Sequence, residues 1–147
     1  MLTSDGEALT GLSFAVQPTE AVTDHPVFSA TTLQLNEYFD GTRKQFDLPL
    51  RNEGTSFQQR VWEMLQTIPY GTSITYKNLA IKLGDLKAIR AVGTANGKNN
   101  IAIIVPCHRV VGSDGSLTGY AWGVEKKDWL LRHEKHPAYL DEQLSMF

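Results

Sequence analysis

A single cysteine stands in the 147 residues, so no intramolecular disulfide is available and the usage is that of a reducing compartment. The four histidines (His25, His108, His133, His136) are scattered, and neither CxxC nor HExxH occurs, so no metal site and no cofactor are expected. No apolar run approaches the roughly 20 residues of a membrane span. The amino terminus lacks a charged segment followed by an apolar one, which predicts a cytoplasmic protein without a membrane partner. Repeats and low-complexity segments are absent too. What is present, 41% apolar and 10% aromatic residues, suffices for the core of one or two small domains.

The formal net charge of −2 conceals an asymmetry. Residues 1–53 carry eight acidic and three basic side chains, net −5, whereas 76–111 carry Lys77, Lys82, Lys87, Arg90, Lys98 and Arg109 against Asp85, net +5. A local basic face on a mildly acidic protein fits a polyanion bound through one surface. Lysines on a solvated helical face would give the same count.

The lone cysteine lies in Ile103-Ile104-Val105-Pro106-Cys107-His108-Arg109-Val110-Val111. Ile101 to Val105 is expected to be buried, and Pro106 is expected to hold Val105 extended, which delivers the thiol at a set point on a core edge. Apolar surroundings raise a thiol's pKa and leave it inert at neutral pH unless a neighbouring base or cation makes the thiolate accessible. His108 and Arg109 are candidates for both roles. On composition alone, Cys107 reads equally as a small buried hydrophobe.

The chain divides near Arg51-Asn52-Glu53-Gly54 into an amino-terminal unit, 1–53, and a carboxy-terminal unit, 54–147. In the first, Leu9 to Val16 reads as a strand after the Ser4-Asp5-Gly6 turn. Val27 to Phe39 reads as a helix ended by Gly41, with Phe28, Thr32, Leu35 and Phe39 on one face. This small α/β unit has no catalytic signature. In the second, Thr55 or Ser56 caps a helix bearing Phe57, Val61, Leu65 and Ile68, stopped by Pro69-Tyr70-Gly71.

Thr75 is placed to cap a helix from Tyr76 to Leu83 that closes at Gly84, and a second helix is expected from Ala88 to Asn96, ending at Gly97. The pair resembles a helix-turn-helix. Small residues on several faces of the second helix admit a nucleic-acid groove or another helix equally well, and Arg90 projects from it. Arg109 to Val111 reads as a short strand, Ser113-Asp114-Gly115-Ser116 as a turn, and Leu117 to Gly123 as a glycine- and aromatic-rich loop able to wall a flat pocket. A last helix, Val124 to about Lys135, ends near Glu134. If that helix turns Glu134 inward, burial forces it to find a partner, and His108 is the obvious one. Adjacent side chains on an extended segment point apart, so Cys107 and His108 are expected to communicate through water.

Pro106-Cys107-His108-Arg109-Val110, with Arg90-Ala91-Val92-Gly93 and Asn99 before it and Leu130-Leu131-Arg132-His133-Glu134 after it, resembles the O6-alkylguanine-DNA alkyltransferases, or methylated-DNA–protein-cysteine methyltransferases. The likeness is close over residues 54–135, while Leu9 to Phe14 and Leu35 to Leu50 are similar to the later part of that family's amino-terminal domain. It implies a fold of α/β plus α: a small ribonuclease H-like α/β domain, then a mostly helical winged helix-turn-helix-like domain. It implies direct repair of duplex DNA entered from the minor groove, with the O6 alkyl group of a flipped guanine, or the methyl of O4-methylthymine, moved irreversibly to cysteine in a single turnover. A monomer with no obligate protein partner is expected.

Residue by residue, the resemblance makes Cys107 the nucleophile, His108 its water-mediated base, Glu134 the group orienting His108, and Asn99 the hinge joining the helix-turn-helix to the active-site segment. Tyr76, Val110, Tyr120, Ala121 and Trp122 line the pocket, with the carbonyls of Cys107 and Val110 accepting from the guanine amine. Arg90 fills the space left by the flipped base, and Ala91, Gly93, Thr94, Lys98 and Arg109 complete the DNA-binding set. Two departures stand out. The chain begins where relatives already have an extended strand, so the amino-terminal sheet is expected to lack an edge strand, and the cysteines of some relatives' zinc site are missing. Trp122 occupies a position where relatives have either glycine or tryptophan. Three alternatives compete with alkyl transfer: a non-catalytic alkylguanine binder, a helix-turn-helix regulator with an incidental thiol, and a thiol hydrolase.

Overall fold

In the computed structural model, which describes residues 1–14 and 25–139, the chain opens with an antiparallel hairpin of β1 (Leu2–Ser4) and β2 (Leu9–Leu12). Asp5 makes the turn: its Oδ1 accepts from the backbone N–H groups of Glu7 at 3.0 Å and Ala8 at 2.9 Å, the side-chain mimicry that favours aspartate in turns. Along its other edge β2 forms isolated parallel bridges, Leu9 to Leu50 and Leu12 to Ile101. Strand β2 thus reaches both halves of the chain. β2 stops at Leu12, short of the expected Val16; Ala15 and Val16 lie outside the described residues. Among the described residues the amino-terminal sheet has only these two strands.

Helix α1 spans Pro26–Asp40, with proline at its first turn and Gly41, at φ 85°, closing it through bonds to the Glu37 and Tyr38 carbonyls. Its buried residues are Val27, Thr31, Gln34 and Tyr38, one position off the expected stripe. Phe28 and Leu35 are half-buried, and Thr32 and Phe39 face outward. Polar residues can be inside because they are satisfied: Thr31 Oγ1 donates to Val27 O at 2.6 Å, and Gln34 exchanges two bonds with the Asp47 backbone.

Helix α2 (Ser56–Leu65) starts from a capping box, Thr55 and Gln58 each bonding the other's backbone N–H. It buries Val61, Trp62 and Leu65, and Trp62 Nε1 donates to Ala95 O at 2.9 Å. A Cβ on Gly54 would overlap the Trp62 indole, so that entry needs glycine. Strand β3 (Ile74–Thr75) leads into α3 (Tyr76–Lys82), capped by Thr75, and Gly84 at φ 88° turns the chain away. A 3₁₀ turn over Leu86–Ala88 intervenes before α4 (Ile89–Gly97), so the second helix starts one residue later than expected. β3 pairs in parallel with β4 (Val110–Val111), and α5 (Val124–His133) is followed by further helical residues at 137–139.

Over residues 101–109, leading into β4, the chain is wholly buried but not extended. Ile103 takes φ 70°, Val105 N–H returns to Ile101 O at 3.1 Å, and Cys107–Arg109 forms a 3₁₀ turn in place of the expected extended chain, so only Val110 and Val111 are strand. Buried peptide groups must be paired, and most of this segment has no strand beside it, so it bonds to itself through tight turns. One apolar core runs from Leu9, Leu12 and Val27 through Val61, Leu65, Leu79 and Val92 to Ile101, Val105 and Leu130. The two units therefore share their interior. No described helix is long and apolar enough to cross a membrane.

Candidate active site

Cys107 is held at the start of the 3₁₀ turn by two asparagines from the end of α4 and just beyond it. Asn99 Nδ2 points at Val105 O (2.8 Å), Ile101 O (3.1 Å) and Cys107 Sγ (3.3 Å). Its Oδ1 accepts from Ile101 N–H at 3.0 Å and from Asn52 Nδ2 at 2.8 Å. Asn96 Nδ2 reaches Cys107 O at 3.3 Å. Because the Val110 N–H also bonds that carbonyl, the Cys107 oxygen expected to receive a guanine amine already has two donors.

His108 is fully buried, and its Nε2 lies 2.8 Å from Glu134 Oε2. Glu134, just past α5, is indeed turned inward, and it gathers more than His108. Arg109 Nε donates to Oε1 at 2.8 Å and a terminal nitrogen to Oε2 at 2.9 Å, a two-point grip of planar guanidinium on planar carboxylate. Tyr38 Oη donates to the same Oε2 at 2.7 Å. With Nε2 bonded to a carboxylate it carries the imidazole proton, which leaves Nδ1 as the basic nitrogen. Among the described residues the buried side-chain polar atoms without a hydrogen-bond partner are Asn96 Oδ1, His108 Nδ1 and Tyr120 Oη, and all three belong to residues around Cys107. Buried polar atoms left unpaired are rare in native folds and concentrate where something else binds or reacts.

Charge balance sets the resting state. Burial pushes the Cys107 thiol up, against the Asn99 bond and the Lys127 charge, so sulfur is a neutral thiol at neutral pH. Burial likewise pushes His108 down, outweighing Glu134, and keeps the imidazole neutral. Glu134 is pulled the other way: burial would raise it, but His108 and Arg109 hold its carboxyl well below the usual carboxylate range. Arg109 neutralises Glu134, and a neutral thiol and a neutral base sit beside a compensated ion pair.

Of the remaining pocket candidates, Tyr76 and Tyr120 have pKa values raised by burial, and both lie near enough to Cys107 for its charge to raise them further. Tyr120 is buried, its pKa raised by burial, and Tyr76 is half-buried at the start of α3 with Oη donating to Thr118 O at 3.2 Å. Val110 is buried, whereas Ala121 is exposed. Trp122 is half-buried, with its ring against Tyr120 (5.4 Å between centroids) and against Phe14 of the amino-terminal unit (5.7 Å). On α4, Val92, Ala95 and Asn96 face the core, while Arg90, Ala91 and Thr94, with Lys98 beyond them, face outward. A Cβ on Gly93 would meet Tyr76 only at 3.9 Å, an ordinary contact, so packing alone does not demand glycine there.

One expected DNA contact is overturned. Arg109 is 7% exposed, and its guanidinium is spent on Glu134 and on Ile68 O at 2.7 Å, so it cannot reach a phosphate. Two residues went unread in the sequence. Tyr38 comes from a unit with no catalytic signature, and only the tertiary fold brings it to Glu134. Lys127, in α5, is completely buried, with Nζ 3.1 Å from Thr118 O and 3.4 Å from Tyr76 Oη, and burial brings its pKa down to about 8. Its neighbours Glu125, Lys126 and Asp128 make it look like solvated surface charge, and only its i−3 spacing from Leu130 hinted otherwise.

Comparison with known proteins shows the family. Residues 56–136 match the family model of the 6-O-methylguanine DNA methyltransferase DNA binding domain, and residues 1–52 that of its ribonuclease-like domain. The chain is 50% identical over 119 residues to a methylated-DNA–protein-cysteine methyltransferase of Methanosarcina barkeri, covering 81% of this chain and 75% of that one. It is 48% identical over 145 residues to one of Mycobacterium tuberculosis, covering 95% and 88%. The crystal structure of Mycobacterium tuberculosis OGT in complex with DNA superposes with a TM-score of 0.83 at 48% identity, over 95% of this chain and 89% of that one. Geometry, family models and relatives converge: the chain belongs to the 6-O-methylguanine DNA methyltransferase family.

Proposed function

We propose that this protein repairs O6-alkylguanine in duplex DNA by one irreversible transfer of the alkyl group, chiefly methyl, to Cys107. The outward face of α4 enters the minor groove, and Arg90 occupies the stack where the damaged guanine was. The flipped base lies among Tyr76, Val110, Tyr120, Ala121 and Trp122. The thiol proton passes through a water to His108 Nδ1, Sγ bonds the alkyl carbon, and the C–O6 bond breaks with its electron pair on the departing guanine, which recovers the proton. Asn99 holds the sulfur, while Glu134 fixes the imidazole. A thioether is a poor leaving group and no second nucleophile faces Cys107 among the described residues, so one chain repairs one lesion. The chain works as a monomer, and O4-methylthymine is a secondary substrate.

The observation that carries this reading is the unpartnered Nδ1 of buried His108, the residue next in the chain to the buried Cys107 whose Sγ meets Asn99 Nδ2 at 3.3 Å. Titrating a fixed amount of protein with duplex containing O6-methylguanine tests it. Repair that stops at one lesion per chain, and vanishes in Cys107→Ser with duplex binding retained, is expected. Tight binding by the wild-type protein without repair would instead favour a non-catalytic damage binder.

A further inference from the structure

The amino-terminal unit reaches the proposed proton relay at one point. Tyr38, in the last turn of α1, is fully buried, and its hydroxyl donates to Glu134 Oε2, the oxygen that bonds His108 Nε2. A second tie lies beside it: Tyr38 O bonds His133 Nε2 at 2.7 Å, one residue before Glu134 in the chain. The ring itself is fixed by Tyr70, edge-on at 6.2 Å, by Phe46 at 5.6 Å and by His133 at 5.0 Å. We infer that Tyr38 is a positioning residue for alkyl transfer, by which the ribonuclease-like unit sets both the place and the basicity of the carboxylate behind His108.

The physical argument rests on one shared oxygen. Oε2 receives Tyr38, His108 and Arg109 together, so each donor draws on the electron density available to the other two. A strong phenol donor makes the carboxylate less basic, keeps the shared proton on His108 Nε2 without drawing a second proton onto the ring, and leaves Nδ1 free to accept from the thiol. Without that hydroxyl, Glu134 pulls harder on His108 and favours imidazolium, which cannot act as a base. The other groups bearing on the pair are Arg109 beside it, Tyr70 from the turn after α2, Lys127 from α5 and His136 from the segment that follows.

This inference rests on the proposed transfer to Cys107, and the test keeps the two separable. Single-turnover methyl transfer from an O6-methylguanine duplex is measured against pH for the wild-type chain, for Tyr38→Phe, and for a chain with 3-fluorotyrosine at 38, a stronger donor of nearly the same size. Tyr38→Phe should lower the rate about tenfold at neutral pH, as loss of a hydrogen bond to a charged acceptor does, and move the acid limb to higher pH, with DNA affinity unchanged. Fluorotyrosine should move that limb to lower pH, and it gives the answer even if Tyr38→Phe folds poorly. Unmoved acid limbs in the variants that fold, with any rate loss matching only the unfolded fraction, would overturn the positioning role. No transfer by the wild-type chain would instead refute the reading of Cys107.

Discussion

Asn99 Nδ2 stands 3.3 Å from Cys107 Sγ while Asn99 Oδ1 accepts from Asn52, so one side-chain amide links the sulfur to the junction between the two halves of the chain. An amide has only two N–H groups, yet Nδ2 lies within bonding distance of two carbonyls and the sulfur. The sulfur holds the longest of the three contacts, and that bond strengthens once it becomes a thiolate.

Asn99→Ala should therefore cost about 1–3 kcal/mol of stability by stranding the Val105 and Ile101 groups it now serves. It should also raise the Cys107 pKa further. Alkylation by a small thiol reagent as a function of pH reports the second effect, and an unchanged profile would show that Asn99 braces the backbone alone.

Arg90 and Arg109 should separate cleanly. Arg109→Met leaves the buried Glu134 carboxylate without its counter-charge and should cost about 3–5 kcal/mol in chemical denaturation. Its effect on the salt dependence of duplex binding should be nil, since that slope reports about three to six phosphates contacted elsewhere. Arg90→Ala, on the exposed face of α4, should change stability by no more than about 0.5 kcal/mol. It should slow repair of a duplex far more than reaction with free O6-methylguanine, because only the duplex requires a base to be extruded. Equal slowing of both substrates would place Arg90 outside the flipping step.

Lys127 carries a definite pH signature. Its pKa is brought from 10.5 to about 8 by burial, so between those values the unfolded chain binds a proton that the folded one does not. Its contribution to stability must then rise with pH across that window. Compared with Lys127→Met, wild-type stability should improve by at most about 3 kcal/mol between pH 8 and 10.5. The raised pKa values of Tyr38 and Tyr120 act with the opposite sign but are common to both proteins and drop out of the difference, and that of Cys107, which the Lys127 charge lowers, is removed by making the comparison in Cys107→Ala. A difference that stays flat or falls would mean that the ammonium is solvated.

Trp122 joins Tyr120 to Phe14, so its removal should be felt twice. Trp122→Gly should lower the melting temperature through lost aromatic packing and raise the benzyl-to-methyl transfer ratio through relief of crowding worth about 1–3 kcal/mol. Loss of stability with an unchanged ratio would make Trp122 a strut between the units and not a pocket wall.

The helix-turn-helix, the helix caps at Thr55 and Thr75 and the inward Glu134 were legible because they rest on local patterns: capping residues, glycine stops and a carboxylate placed near a histidine. The geometry of Cys107–Arg109 was not, since proline context argues for extension and the turn arises from buried peptides pairing among themselves. Arg109 was misread and Lys127 went unread for one reason. Charge in a sequence reads as surface, and only the packed structure shows a guanidinium closing on Glu134 or an ammonium roofed by Thr118 and Tyr76. The one-residue error on α1 hid Tyr38 in the same way, because Thr31 and Gln34 look like solvent residues until Val27 and Asp47 are seen to bond them.

The central claim is that Cys107 accepts the alkyl group once and keeps it. Peptide mass mapping after incubation with excess O6-methylguanine duplex addresses this directly. The account predicts one added methyl group per chain, located on the peptide containing Cys107 and persisting after the DNA is removed. A chain that has demethylated several duplexes, or a repaired duplex with Cys107 unmodified, would contradict it.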